Sequence, residues 1–192
     1  MMSDKRKLHK FQWIRHGDYY KVATSNYGVI EALKRQHDAL QLTLESKEIS
    51  DQDADRLAEK NNAIAEHALI VVIFSAFTLE AFINDYGITR LSKNYFSNYL
   101  DRLDLLSKWL IVPRLLTGRE LAPGSRAMQE VTWIVAIRNK LAHYKSRTVT
   151  VLDVQESDFI WAEDAQRAVK AVRYAVEALK AIDPEADTAW ID

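Results

Sequence analysis

Ala68 to Leu79 reads ALIVVIFSAFTL, the longest stretch of the chain without a charge, with His67 before it and Glu80 after it. Strands usually run to about eight residues, so an apolar run of this length predicts a helix. A bilayer needs about 20 apolar residues, so the run is expected to lie in a protein core. Upstream, DQDADRLAEKNN (51–62) is heavily charged and should be solvated. One helix is therefore expected over 51–86, polar in its first half and apolar almost all round in its second, which places that second half centrally. Ser50 can cap it, with Asp53 three residues on as a short capping box, and Gly87 is a plausible stop.

Working outward, Ile30, Leu33, Leu40 and Leu44 recur at helical spacing and predict a first helix over 27–47. A third helical region, 97–117, carries Leu100, Leu103, Leu106, Trp109, Leu110 and Leu116, and Pro113 inside it implies a kink or break. TGRELAPGS is a loop. A fourth helix over 126–143 turns Val131, Ile134, Val135 and Leu141 inward, and KSRTVTVLD follows as an extended or irregular connector. The last helix, 161–182, repeats Ala165, Ala168/Val169, Val172, Val176 and Leu179. The expected fold is all-α, an up-and-down bundle of about five helices. It divides into a polar arm over 1–26 that docks through Phe11, Trp13 and Tyr19, one domain over 27–183, and a tail over 184–192.

Composition agrees and narrows the chemistry. The chain has 192 residues, five glycines, three prolines and no cysteine. That length suits one core. Without cysteine there is no disulfide framework, no cysteine nucleophile and no thiolate zinc site. No HExxH, EF-hand, Walker or GxSxG pattern occurs, so no metal site and no cofactor is expected. The net charge is −1, so a polyanion would have to be held by a local patch. The N-terminus is basic but no signal-type apolar segment follows it, which reads as a soluble cytoplasmic protein without a membrane segment.

Two features call for more than a core. The apolar helix carries Ser75, Thr78, Glu80 and Asn84, and Glu80 and Asn84 share a face one turn apart. A carboxylate there must reach water or meet a cation, because an unpaired buried charge is costly; Arg138 is one candidate partner. The second feature is RNKLAHYK, Arg138 to Lys145. Asn139 and His143 fall on one helical face, with Arg138 on an adjoining one. A plain reading is a solvated helix end, with Lys140, His143 and Lys145 set favourably against the helix dipole. The sharper reading has Arg138 and His143 converge on a phosphodiester.

RNKLAH resembles the Rx4-6H motif of HEPN domains, in which a polar residue, often Asn, follows the arginine. FTLEAFIND resembles the earlier helix of that family, which carries a Glu and often an Asn a turn later, and LDLLSKWLIVPRLLTG is similar to the segment joining the two in bacterial members. The resemblance covers about residues 61–182. A Tyr two places after the histidine, common in one toxin subgroup, is not matched: Lys145 stands there and Tyr144 precedes it.

The resemblance implies a helical bundle and a metal-independent endoribonuclease of a toxin–antitoxin or antiphage-defence setting, with an antitoxin or defence protein as possible partner. It also implies a homodimer whose two Arg and two His residues line one cleft. RNA supplies its own nucleophile, the 2′-hydroxyl, and needs a base, an acid and a cation. In that scheme His143 is base or acid and Arg138 grips phosphate oxygens. Asn139 orients His143 or the phosphate, Glu80 fixes Arg138 with Asn84 in the same shell, and Lys140, Lys145 and Arg147 attract the RNA backbone. The alternative is a non-catalytic helical module that binds a protein or nucleotide or serves dimerisation, with Arg138 and Glu80 as a structural pair.

Overall fold

In a computed structural model, residues 14–44, 49–143 and 160–191 are described. The fold is all-α, as expected, but with six helices among the described residues: α1 (His16–Leu44), α2 (Asp51–Leu91), α3 (Lys93–Tyr99), α4 (Leu105–Thr117), α5 (Arg126–Ala142) and α6 (Ala162–Ile182). A 3₁₀ turn, Ala189–Ile191, follows. There is no strand among the described residues, and the KSRTVTVLD connector lies outside them.

The ALIVVIFSAFTL run is the axis of this bundle. α2 touches every other helix, most extensively α1 and then α6. Its inward stripe passes through Ile64, Ala68, Val71, Ser75, Leu79 and Phe82, at steps of three and four residues. Leu79 is fully buried; such a side chain contributes about 2 kcal/mol by leaving water, and cutting it to alanine would cost about 2–5 kcal/mol. One side stays open, however, since Leu69 and Phe77 are 44% and 40% exposed. By length and composition α2, taken with its flanks, is apolar enough to cross a membrane, and half of its most apolar window is buried in the bundle. At its start Ser50 Oγ accepts from the Asp53 N–H at 3.2 Å and donates to Asp53 Oδ2 at 2.7 Å, so the cap forms.

α6 supplies the opposing surface through Ala165, Ala168, Val172, Val176 and Leu179, all buried. Its alanines keep the face thin, which lets a helix axis approach closely. At its first turn the Asp164 carboxylate accepts from the Trp161 backbone N–H at 2.9 Å.

Four expectations need correction. The first helix starts at His16, so residues 16–26 are helix and not arm; Tyr20 and Ala23 are buried and continue to Tyr27 and Ile30 in the same stripe. Gly87 does not end α2, which runs on to Leu91. Its lack of a side chain serves packing: a Cβ there would lie 2.4 Å from Phe96 Cε2. The break in the third helical region falls at residues 100–104, not at Pro113, which sits inside α4. Asp104 sets that break by accepting from the Ser107 N–H at 2.9 Å and the Ser107 hydroxyl at 2.6 Å, and these bonds hold its carboxyl below the usual range. Finally, the segment after α6 packs back on the bundle, with Ala186 and Ile191 buried and Trp190 edge-on to His16 at 4.7 Å.

Candidate functional site

α5 begins at Ser125, whose Oγ accepts from the Met128 N–H at 3.4 Å. It ends where the His143 N–H donates to Asn139 O at 3.0 Å. Val131 and Ile134 are fully buried, and four residues beyond Ile134 the same stripe arrives at Arg138. A position that pattern would fill with an aliphatic side chain therefore holds a guanidinium. Desolvating a cation requires an acceptor, and α2 provides one: Arg138 Nη2 donates to Glu80 Oε2 at 3.3 Å.

The pairing is loose. Arg138 keeps 26% of its side chain exposed and Glu80 keeps 40%. One contact of that length lacks the geometry of a bidentate Arg–carboxylate fork, and so exposed a pair contributes less than about 1 kcal/mol. Hydrogen-bonding capacity is left over. Among the described residues, Arg138 Nε and, one turn along α2 from Glu80, Asn84 Oδ1 are buried without a partner. Leaving a buried polar atom unsatisfied costs about 1–3 kcal/mol, so both atoms are poised to gain from a ligand or a moved neighbour.

Glu80 and Asn84 open into a shallow depression of ≈ 290 Å³ shared with Tyr19, Phe77 and Ala81. Tyr19, Phe74 and Phe77 form a triangle of rings beside it, with centroids 5.8–5.9 Å apart. Sequence reasoning assigned Tyr19 to an arm and did not place Phe77 in the site. Helical spacing continued back from Ile30 through Tyr27, Ala23 and Tyr20 would have set residue 19 beside α2.

The remaining candidates divide. His143 stands exposed as the C-cap of α5, and among the described residues its imidazole has no hydrogen-bond partner. Asn139 and Lys140 are exposed on the last turn. Lys145 and Arg147 lie outside the described residues. The fold thus brings Arg138, Glu80 and Asn84 together at the α2–α5 seam and leaves Asn139, Lys140 and His143 at the solvated end of α5. Among the described residues no group of three or more His, Asp or Glu side chains is placed to hold a metal ion. Compared with family models, curated proteins and solved structures, the chain matches none.

Proposed function

We propose that the chain is an endoribonuclease of HEPN type that cleaves RNA through the 2′-hydroxyl without a metal ion. The observation that carries this reading is Arg138. It is a guanidinium kept at a helix seam by a 3.3 Å contact, with its Nε–H unsatisfied among the described residues, on the same terminal turns as an exposed His143.

In the proposed reaction a neutral His143 takes the proton of the 2′-hydroxyl. The 2′-oxygen then bonds to phosphorus while the P–O5′ bond breaks. A protonated His143 from a second copy gives its proton to the leaving 5′-oxygen, so the products are a 2′,3′-cyclic phosphate and a 5′-hydroxyl. Arg138 donates to the non-bridging oxygens as their charge grows, and Glu80 holds its rotamer, with Asn84 in the same shell. Asn139 orients the imidazole, and Lys140, Lys145 and Arg147 draw in the backbone. A homodimer suits this division of acid and base. The open side of α2, where Leu69 and Phe77 are exposed, is an apolar surface for the second copy. A toxin–antitoxin or defence setting in the cytoplasm, with a cognate protein restraining the activity, belongs to the same reading.

A second reading draws on the same contact: Arg138 and Glu80 as a structural pair in a non-catalytic binding module, with His143 merely closing a helix. Incubating a mixed RNA pool with the chain in EDTA separates the two. Wild type should leave cyclic-phosphate ends, and His143→Ala, folded by circular dichroism, should lose about 10²–10⁴-fold in rate. Equal inactivity of both proteins would favour the module, and cleavage only on adding a divalent ion would overturn the metal-free mechanism.

A further inference from the structure

At the far end of α2 from its charged start lies a second, more enclosed space. A half-open cavity of ≈ 180 Å³ is walled by His16 from α1, by Phe82, Asp85 and Arg90 from α2, and by Glu185 and Asp187 after α6. Drug-sized sites begin at about 300 Å³, so this one suits a smaller molecule.

The charge on the walls selects the ligand. Arg90 is already engaged, donating to Asp183 at 3.0 Å and to Glu185 at 3.5 Å. With Asp85 set aside, the wall carboxylates Glu185 and Asp187 outnumber Arg90 by two to one. That balance favours a cation over an anion. Among the described residues the Asp187 carboxylate accepts one long bond, from the Ala189 N–H at 3.3 Å, and meets no cation.

His16 is the second and independent sign. It is 5% exposed and held edge-on by Phe82 and Trp190, with centroids 5.3 and 4.7 Å away. Its Nδ1 has no hydrogen-bond partner. Burial, opposed by Asp85, Asp187 and Asp18, holds its pKa below the usual histidine value, so the ring is neutral near pH 7. A neutral imidazole offers a lone pair on one of its two ring nitrogens. A lone pair, carboxylates and an aromatic wall together favour N–H donors that carry positive charge. The groups are too dispersed to cage a metal ion, which points to an organic cation rather than an inorganic one.

We propose that this cavity binds a small aliphatic ammonium ion, which donates N–H bonds to the His16 imidazole and the Asp187 carboxylate and lays its methylene chain against Phe82. This site is separate from Arg138 and His143 and does not rest on the nuclease reading.

Calorimetric titration of the full chain with 1,4-diaminobutane tests it, with 1,4-butanediol as the neutral mimic. The diamine should bind saturably at one per chain, and the diol should give no signal. Asp187→Asn keeps an oxygen for the Ala189 N–H but removes the charge, and it should weaken diamine binding at least about tenfold. His143→Ala should bind as wild type does. Equal binding of diamine and diol, no diamine binding at millimolar concentration, or unchanged affinity in folded Asp187→Asn would each overturn the proposal. So would stoichiometric displacement of the diamine by magnesium chloride. If Asp187→Asn fails to fold, the diamine–diol contrast in wild type still decides.

Discussion

α2 carries two arginine–carboxylate clusters, at Glu80 and at Arg90 about three turns on, and they are built in opposite ways. At its C-terminal end the Tyr86 hydroxyl donates to Asp183 Oδ2 at 2.6 Å and Arg90 donates to the same oxygen at 3.0 Å. Asp183 is 5% exposed, and burial together with that carboxylate raises the Tyr86 pKa. At Glu80 the contact to Arg138 is 3.3 Å, both side chains reach water, and two neighbouring buried polar atoms have no partner among the described residues. The first cluster spends its polar groups on joining α2 to the end of α6. The second holds some in reserve. A shared residue vocabulary thus yields a fastener in one place and an available surface in the other, and what separates them is how completely donors and acceptors are matched.

The sharpest way to break this contrast is Asp183→Ala. It leaves a buried Tyr86 hydroxyl and the Arg90 guanidinium without their acceptor, so urea denaturation should show a loss of about 3 kcal/mol; a loss like that of a surface pair would erase the distinction. Acidification probes the same end of α2. Because the His16 pKa is lowered in the folded state, the unfolded chain takes up a proton there that the folded chain resists. Stability is therefore intact above the ordinary value of 6.5 and falls as pH drops below it toward the folded value. Melting curves of wild type should show that decline, and His16→Gln should flatten it. Glu80→Gln should change stability by less than about 1 kcal/mol and yet lower RNA cleavage, because Arg138 loses its restraint; a large stability loss without any change in cleavage would make this pair a fastener too. Lys34 and Glu163 give the lower limit. Their 2.8 Å contact raises the lysine pKa and lowers the glutamate's, but the side chains are 44% and 74% exposed. Lys34→Ala should cost less than about 0.5 kcal/mol by denaturation, and less again in high salt.

How much of this was legible in the sequence depended on how loudly each residue speaks. The unbroken apolar run announced α2, and the Ala/Val repeat announced α6. Glu80 drew attention as a charge against that background, and Arg138 drew it as a cation after Val131 and Ile134. The start of α1 was quieter, because Tyr20 and Ala23 are weak markers of burial beside Lys21 and Asp18. Pro113 was louder than it was structurally important. Proline removes one hydrogen bond, and packing of Trp109 and Val112, both fully buried, carries α4 past it. The true boundary is the Asp104–Ser107 cap, a signal that the reading of residues 97–117 as one helical region passed over. The open side of α2 was not legible at all, since an all-round apolar helix does not say which face its neighbours leave uncovered.

The glycine at position 87 has a bearing on which variants of this chain can exist. Because α3 rests on bare backbone there, with Phe96 2.4 Å and Val112 3.2 Å from where a methyl would stand, even the smallest replacement must push the corner of α3 and α4 outward, at about 1–3 kcal/mol. In a saturation library screened for folded protein, position 87 would appear as a gap in an otherwise permissive stretch of helix. Half-exposed Asn84, a single turn away, would accept many residues. The short α3 would thus be recorded in such a map mainly through a residue that is not part of it.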